Sequence, residues 1–94
     1  MNDKDMNAII TVIGTDQVGI ISKVSAYLSE RKINIADISQ TILSGNFVMM
    51  MMVDFSSSTE KIGLVKEGLN ELGEKLGVCI NVMHQKVFSA MHRI

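Results

Sequence analysis

Two glycines, Gly14 and Gly19, enclose Thr15, Asp16, Gln17 and Val18 in the stretch Val12-Ile13-Gly14-Thr15-Asp16-Gln17-Val18-Gly19-Ile20-Ile21. A β-branched run precedes the stretch and helical periodicity follows it. A strand-to-helix turn of this kind can hold an anion on backbone N–H groups at the positive end of the helix. Phosphate is excluded as the target: the third glycine of a dinucleotide loop is missing, as is the Gly-Lys-Ser/Thr end of a phosphate loop. Two roles remain. Gly19 lets a small carboxylate or another chain approach the backbone closely, or Asp16 simply caps the helix while the glycines turn the chain. On spacing alone the second is the commoner role.

The other reactive side chains form no constellation. Ser22, Ser25 and Ser39 have no His and Asp at a spacing that would activate them, and nothing places Cys79 beside His84. His84 and His92 are too few for a metal site. No catalytic residue, metal or cofactor is therefore expected. The lone Cys79 cannot form an internal disulfide, and in the apolar run Val78-Cys79-Ile80-Asn81-Val82 it reads as a small buried thiol.

The elements that would position the glycine loop are legible. Ala8–Ile13 is a strand closed by Gly14. From Gln17, Ile21, Val24 and Leu28 fall at helical spacing, and the helix should end near Glu30-Arg31-Lys32. A second strand runs from about Ile33 to Leu43, Ser44-Gly45-Asn46 signals a turn, and Phe47–Phe55 is a third strand, making a hairpin. Ser57 and Glu60 stand at capping-box spacing. A second helix follows on Ile62, Val65, Leu69, Leu72 and Leu76, weakened by Gly68 and Gly73 by about 1 kcal/mol each. Gly77 suits its end, and Val78–Met83 is a fourth strand. In the tail, residues 84–94, Val87, Met91 and Ile94 match a short helical face. The order βαββαβ with right-handed crossovers predicts an α+β, ferredoxin-like sandwich. Its four-stranded antiparallel sheet carries both helices on one face, has strands one and three at its centre, and is followed by a short C-terminal helical tail.

Strand three raises the question of what covers the sheet. Phe47, Met49, Met51, Val53 and Phe55 share one face, and Val48, Met50 and Met52 share the other. The helices serve only one of them. Leaving the second set in water would forgo about 5–9 kcal/mol, comparable to the ~5–15 kcal/mol that stabilises a whole domain. A homodimer or higher homo-oligomer is the expected cover, with the tail as an alternative. The 94 residues suit one domain. A net charge of −1 with scattered cations argues against nucleic acid. No apolar run approaches the ~20 residues of a membrane span, and the polar start lacks a signal-peptide core, so a cytoplasmic protein without a membrane partner is expected.

The apolar strand, Gly14-Thr15-Asp16-Gln17-Val18-Gly19-Ile20, the helix after it and Ile33-Asn34-Ile35 at strand two together resemble the ACT domain over residues 7–83, with 84–94 as the tail. The brevity, the Ala36-Asp37-Ile38-Ser39-Gln40-Thr41 segment and the ending Phe88-Ser89-Ala90-Met91-His92-Arg93-Ile94 look closest to small, stand-alone bacterial ACT proteins of uncharacterised function. The resemblance implies a non-catalytic regulatory module that binds a small amino acid or related metabolite between paired domains. It also implies ligand contacts at Gly14, Thr15, Asp16, Gln17, Gly19, Ile20 and Asn34. Loop N–H groups would hold an α-carboxylate, while Asp16 and the Asn34 amide oxygen accept from the ammonium. Amino-acid-binding members often carry Asn at the position of Asp16 and proline at that of Val18. The alternative is a protein-interaction adaptor that has kept the fold without the pocket.

Overall fold

The structure, a computed structural model, describes residues 7–15 and 19–87. Its elements are β1 (Asn7–Gly14), α1 (Ile20–Glu30), β2 (Asn34–Leu43), β3 (Asn46–Asp54), α2 (Ile62–Leu76) and β4 (Cys79–His84). Residues 85–87 begin a helical turn. The remainder of the expected helical tail lies outside the described residues.

The strands form one sheet in the order β2-β3-β1-β4, with every neighbouring pair antiparallel. β1 and β3 are central, as their apolar sequences required. The β2–β3 hairpin turns through Ser44 and Gly45, between the paired Leu43 and Asn46. Both turn residues have positive φ, 53° and 80°. A two-residue turn of this hand matches the twist of the strands it joins, and only the second position here has the glycine that suits it.

One face of the sheet builds the core. Ala8, Ile10 and Val12 of β1, Phe47, Met49, Met51 and Val53 of β3, and Ile80 and Val82 of β4 pack with Val24 and Leu28 of α1 and Val65 and Leu69 of α2. Met49 and Met51 are wholly buried, and each contributes about 1.5–3 kcal/mol. The other face carries Val48, Met50 and Met52. Val48 and Met52 are half-buried among neighbouring side chains, and Met50, flanked by Thr11 and Ser39, is 37% exposed. Cys79 belongs to this open face. Its neighbour Ile80 points to the helices, so the thiol points away and is exposed, contrary to the expected buried thiol.

The helices end and begin by different devices. At the end of α1, Lys32 takes positive φ (59°), its N–H bonds to Ser29 O and the Ile33 N–H bonds to Leu28 O, both at 3.0 Å. This Schellman closure draws the buried Ile33 back onto the helix. Arg31 then ties the two helices together. Its guanidinium stacks on the Tyr27 ring at 3.6 Å, donates to Tyr27 O at 3.0 Å and reaches Glu60 at 3.3 Å, while its own carbonyl accepts from Thr59 N–H at 3.0 Å. Burial raises the Tyr27 phenol pKa above its ordinary value, and the adjacent Arg31 charge pulls it the other way. The expected capping box of Ser57 and Glu60 does not form. Ser58 instead folds the loop on itself, accepting from Glu60 N–H at 3.0 Å and donating to Glu60 O at 2.7 Å. That postpones α2 to Ile62, with Lys61 at its N-cap.

The glycines that weaken α2 have packing reasons. A Cβ on Gly68 would overlap the Tyr27 hydroxyl, and one on Gly73 would lie 2.8 Å from Val78 O and 3.2 Å from Ile80 Cγ1. Gly63, on the same helix, has open space at that position. Gly73→Ala is therefore expected to lower stability by about 1–3 kcal/mol through overpacking, overriding its gain in helix propensity. Gly63→Ala should raise stability by about 0.5–1 kcal/mol. Opposite shifts of the urea midpoint for the two substitutions would confirm this account, and equal shifts would refute it.

Candidate functional site

The β1–α1 connection leaves the sheet at Gly14, which pairs with Phe47 at one end of the strands. A Cβ on Gly14 would run into the Val78 side chain, so this glycine permits close packing as well as a turn. Thr15 is exposed in a bend. Asp16 and Gln17 lie outside the described residues. The N-cap position of α1 is Gly19, with φ 78°, and among the described residues no side chain caps the helix. The expectation that Asp16 fills this position is thus corrected: α1 starts at Ile20, too far along the chain for Asp16 to be its N-cap residue. The Gly19 carbonyl accepts from Lys23 N–H at 3.0 Å and from the Ser22 hydroxyl at 3.2 Å. Ile20 is buried and anchors the helix to the core.

This is an open helix start. It has no acidic residue in its first turn, and none of the described residues lies within 4 Å of where a Gly19 Cβ would stand. The leading N–H groups of α1 have no acceptor within their own helix, so they can take one from a ligand. A carboxylate is the natural complement.

Asn34 is elsewhere. It opens β2 and pairs with Asp54, which pairs in turn with Asn7 at the start of β1. Gly14 stands at the far end of that strand. At ~3.4 Å per residue the two positions are separated by roughly 24 Å along the sheet. Within one chain, Asn34 and Gly14 do not come together.

What surrounds Asn34 is a shallow cleft of about 470 Å³ between α1 and the start of β2, lined by Ser25, Ser29, Lys32, Ile33, Asn34 and Ile35. Ser25 and Ser29 were not singled out as site residues from sequence, although their four-residue spacing puts both on the same side of α1. β2 itself is an edge strand exposed along almost its whole length, with Ile42 and Leu43 60% and 63% exposed. Among the described residues, no strand pairs with its outer edge.

Among the described residues, no group of three or more His, Cys, Asp or Glu side chains could hold a metal ion. None of their helices is long and apolar enough to cross a membrane.

Residues 7–83 match the family model of the ACT domain. The chain belongs to the ACT domain family. It is 52% identical over 89 residues to a UPF0237 protein of Clostridium acetobutylicum, a match covering 95% of this chain and 100% of that protein. Among solved structures it is similar to an ACT domain protein from Streptococcus pneumoniae, with 38% identity, a TM-score of 0.79 and coverage of 88% and 93% of the two chains. It is also similar to the regulatory subunit of aspartate kinase from Thermus flavus, at 26% identity and a TM-score of 0.60, over 82% of this ACT chain and 50% of that one. ACT domains are regulatory, ligand-binding modules that commonly oligomerise.

The strain at the helix start can be measured directly. Since the space around Gly19 is open, Gly19→Ala should cost only the left-handed backbone penalty, about 1–2 kcal/mol. Gly19→Asn should cost less, because Asn visits that region readily. Urea unfolding with an unchanged m-value would check both, and an Ala variant as stable as the parent would show that the positive φ is not required.

Proposed function

We propose that the protein is a non-catalytic regulatory module that binds a small amino acid or related metabolite at the seam between two copies of the chain. The observation that carries this reading is the placement of Asn34 and the Gly14–Gly19 loop at opposite ends of the sheet. A two-fold axis beside β2 would pair the two β2 edges antiparallel. Each β2 start would then lie at the end of the sheet where the other copy's β1–α1 loop emerges. The site divided within a chain is completed between chains.

In that arrangement the leading N–H groups of α1, which have no acceptor within their own helix, hold the effector's carboxylate. The Asn34 amide oxygen of the partner subunit, with Asp16, accepts from its ammonium. Gly14, Thr15 and Gln17 shape the pocket wall, and Ile20 contributes by anchoring the helix start to the core. The negative charge of Asp16 favours effectors that present an ammonium to it over simple carboxylic acids. The exposed Ile38, Ile42 and Leu43 of β2 supply apolar area for the seam, and the fold shared with the aspartate kinase regulatory subunit supports a regulatory role. Because the effector touches both copies, binding and association are linked: each strengthens the other.

The reading predicts a saturable thermal shift with at least one of the common L-amino acids, worth about 2.7 kcal/mol at 100 times its dissociation constant. Asn34→Ala, at an exposed position, should keep the fold and lose the shift. Ile38→Lys should yield monomers in sedimentation and lose the shift as well. No response to any amino acid, or a full response in a monomeric Ile38→Lys variant, would sink the proposal. The adaptor alternative draws support from the exposed Ile13 and Met50 on the open sheet face. It requires that Met50→Lys abolish capture of a protein partner, and unchanged capture would reject it.

A further inference from the structure

A second cavity lies away from Gly14, at the other end of the sheet. It measures about 590 Å³ and is formed where β3 ends, α2 begins and β4 ends. Phe55 and Ile62 give it an apolar floor, both belonging to or packed against the core. Lys61 and His84 stand at its wall, and Ser56 and Thr59 add hydroxyl groups. Its volume falls within the ~300–1,000 Å³ of small-molecule pockets.

The wall is held in place before any ligand arrives. Asp54 Oδ1 accepts from Ser56 N–H at 2.8 Å, Ser58 N–H bonds to Phe55 O at 2.9 Å, and Thr59 N–H bonds to Arg31 O at 3.0 Å. The electrostatics favour an anion. Among the described residues, Glu60 is the one carboxylate in the lining, and its charge is engaged by Arg31 at 3.3 Å. Lys61 makes no ion pair among the described residues. His84 Nδ1 accepts from Lys86 N–H at 3.2 Å, which fixes the ring at the cavity wall. The N-terminus of the fifteen-residue α2 opens beside Lys61, with no side-chain cap and no acidic residue in its first turn.

We propose that this cavity is a second ligand site, for a small free carboxylic acid with an apolar body, its carboxylate on Lys61 and its body on Phe55 and Ile62. The site lies within one protomer. It does not depend on the subunit seam, and it survives or fails separately from the effector reading above.

Phenylacetate and isovalerate are suitable probes, with phenethylamine as a control of the same body and opposite charge. Amide chemical-shift mapping should show saturable perturbations at Ser56–Gly63 and His84 with the two acids at millimolar concentration, and none with the amine. Lys61 is exposed, so Lys61→Glu and Lys61→Gln should leave the rest of the amide spectrum in place. The charge reversal should weaken phenylacetate by at least about tenfold, the scale of one lost charged hydrogen bond. The Ile38→Lys monomer should bind phenylacetate as the parent does, which separates this site from the seam. Perturbations centred on Gly14–Ile20, unchanged binding in Lys61→Glu, equal binding of phenethylamine, or no binding of either acid would each overturn the proposal. Tighter binding of N-acetyl-Gly-Gly-Phe than of phenylacetate would overturn the assignment to a free acid in favour of a chain terminus.

Discussion

The antiparallel pairing of β3 with both β1 and β2 is the constraint on which the rest of the molecule depends. It sets Met49 opposite Val12 and Met51 opposite Ile10, so that one alternating set of side chains forms a dry floor for both helices. It also decides direction. β1 and β2 run the same way on either side of β3, so the end of one and the start of the other lie at opposite ends of the sheet. A single register thus builds the core and divides the candidate site. Shifting it by one residue would send Val48, Met50 and Met52 toward the helices and expose the present core.

The helices are seated on this floor by close approach more than by propensity. Gly68 makes room for Tyr27 and Gly73 for the Val78 carbonyl, so α2 gives up intrinsic helicity for contact. Arg31 then joins the end of α1 to the loop before α2 by stacking, an ion pair and a backbone hydrogen bond at once. The ion pair with Glu60 is partly exposed and on its own would be worth little. Its value lies in fixing a loop whose backbone groups bond to α1. That loop is also a wall of the larger cavity.

The fold was legible because its signals are local and repeated. The β-branched run before Gly14, the apolar stripe from Ile62 to Leu76, and Gly77 at its end each point to the element that forms. The misses share a cause: they depended on which way a side chain faces or on competing hydrogen bonds. Cys79 sits in an apolar run, yet strand alternation turns it outward. Ser57 and Glu60 have capping-box spacing, but Ser58 captures the Glu60 backbone first. Asp16 has the chemistry of a cap, but the helix waits until Ile20. For the site, the open helix start at Gly19 could be read from its glycine. The separation of that start from Asn34 follows from the order and direction of the strands, not from any spacing along the chain. The cavity at Phe55, Lys61 and His84 is formed by the β3–α2 connection against the distant end of β4, a juxtaposition that no spacing along the chain signals.

The exposed edge of β2 also bears on how the protein behaves at high concentration. Ten residues of edge strand, with no partner strand on the outer side among the described residues, form a template for adding further strands. Two features interrupt its regularity, the bulge between Ile35 and Asp37 and the charge of Asp37 itself. A partner that occupies this edge does more than complete a pocket: it seals the stretch of the molecule most prone to aggregation. Colloidal stability and the state of the β2 edge are therefore one property, and solubility becomes a readout of assembly.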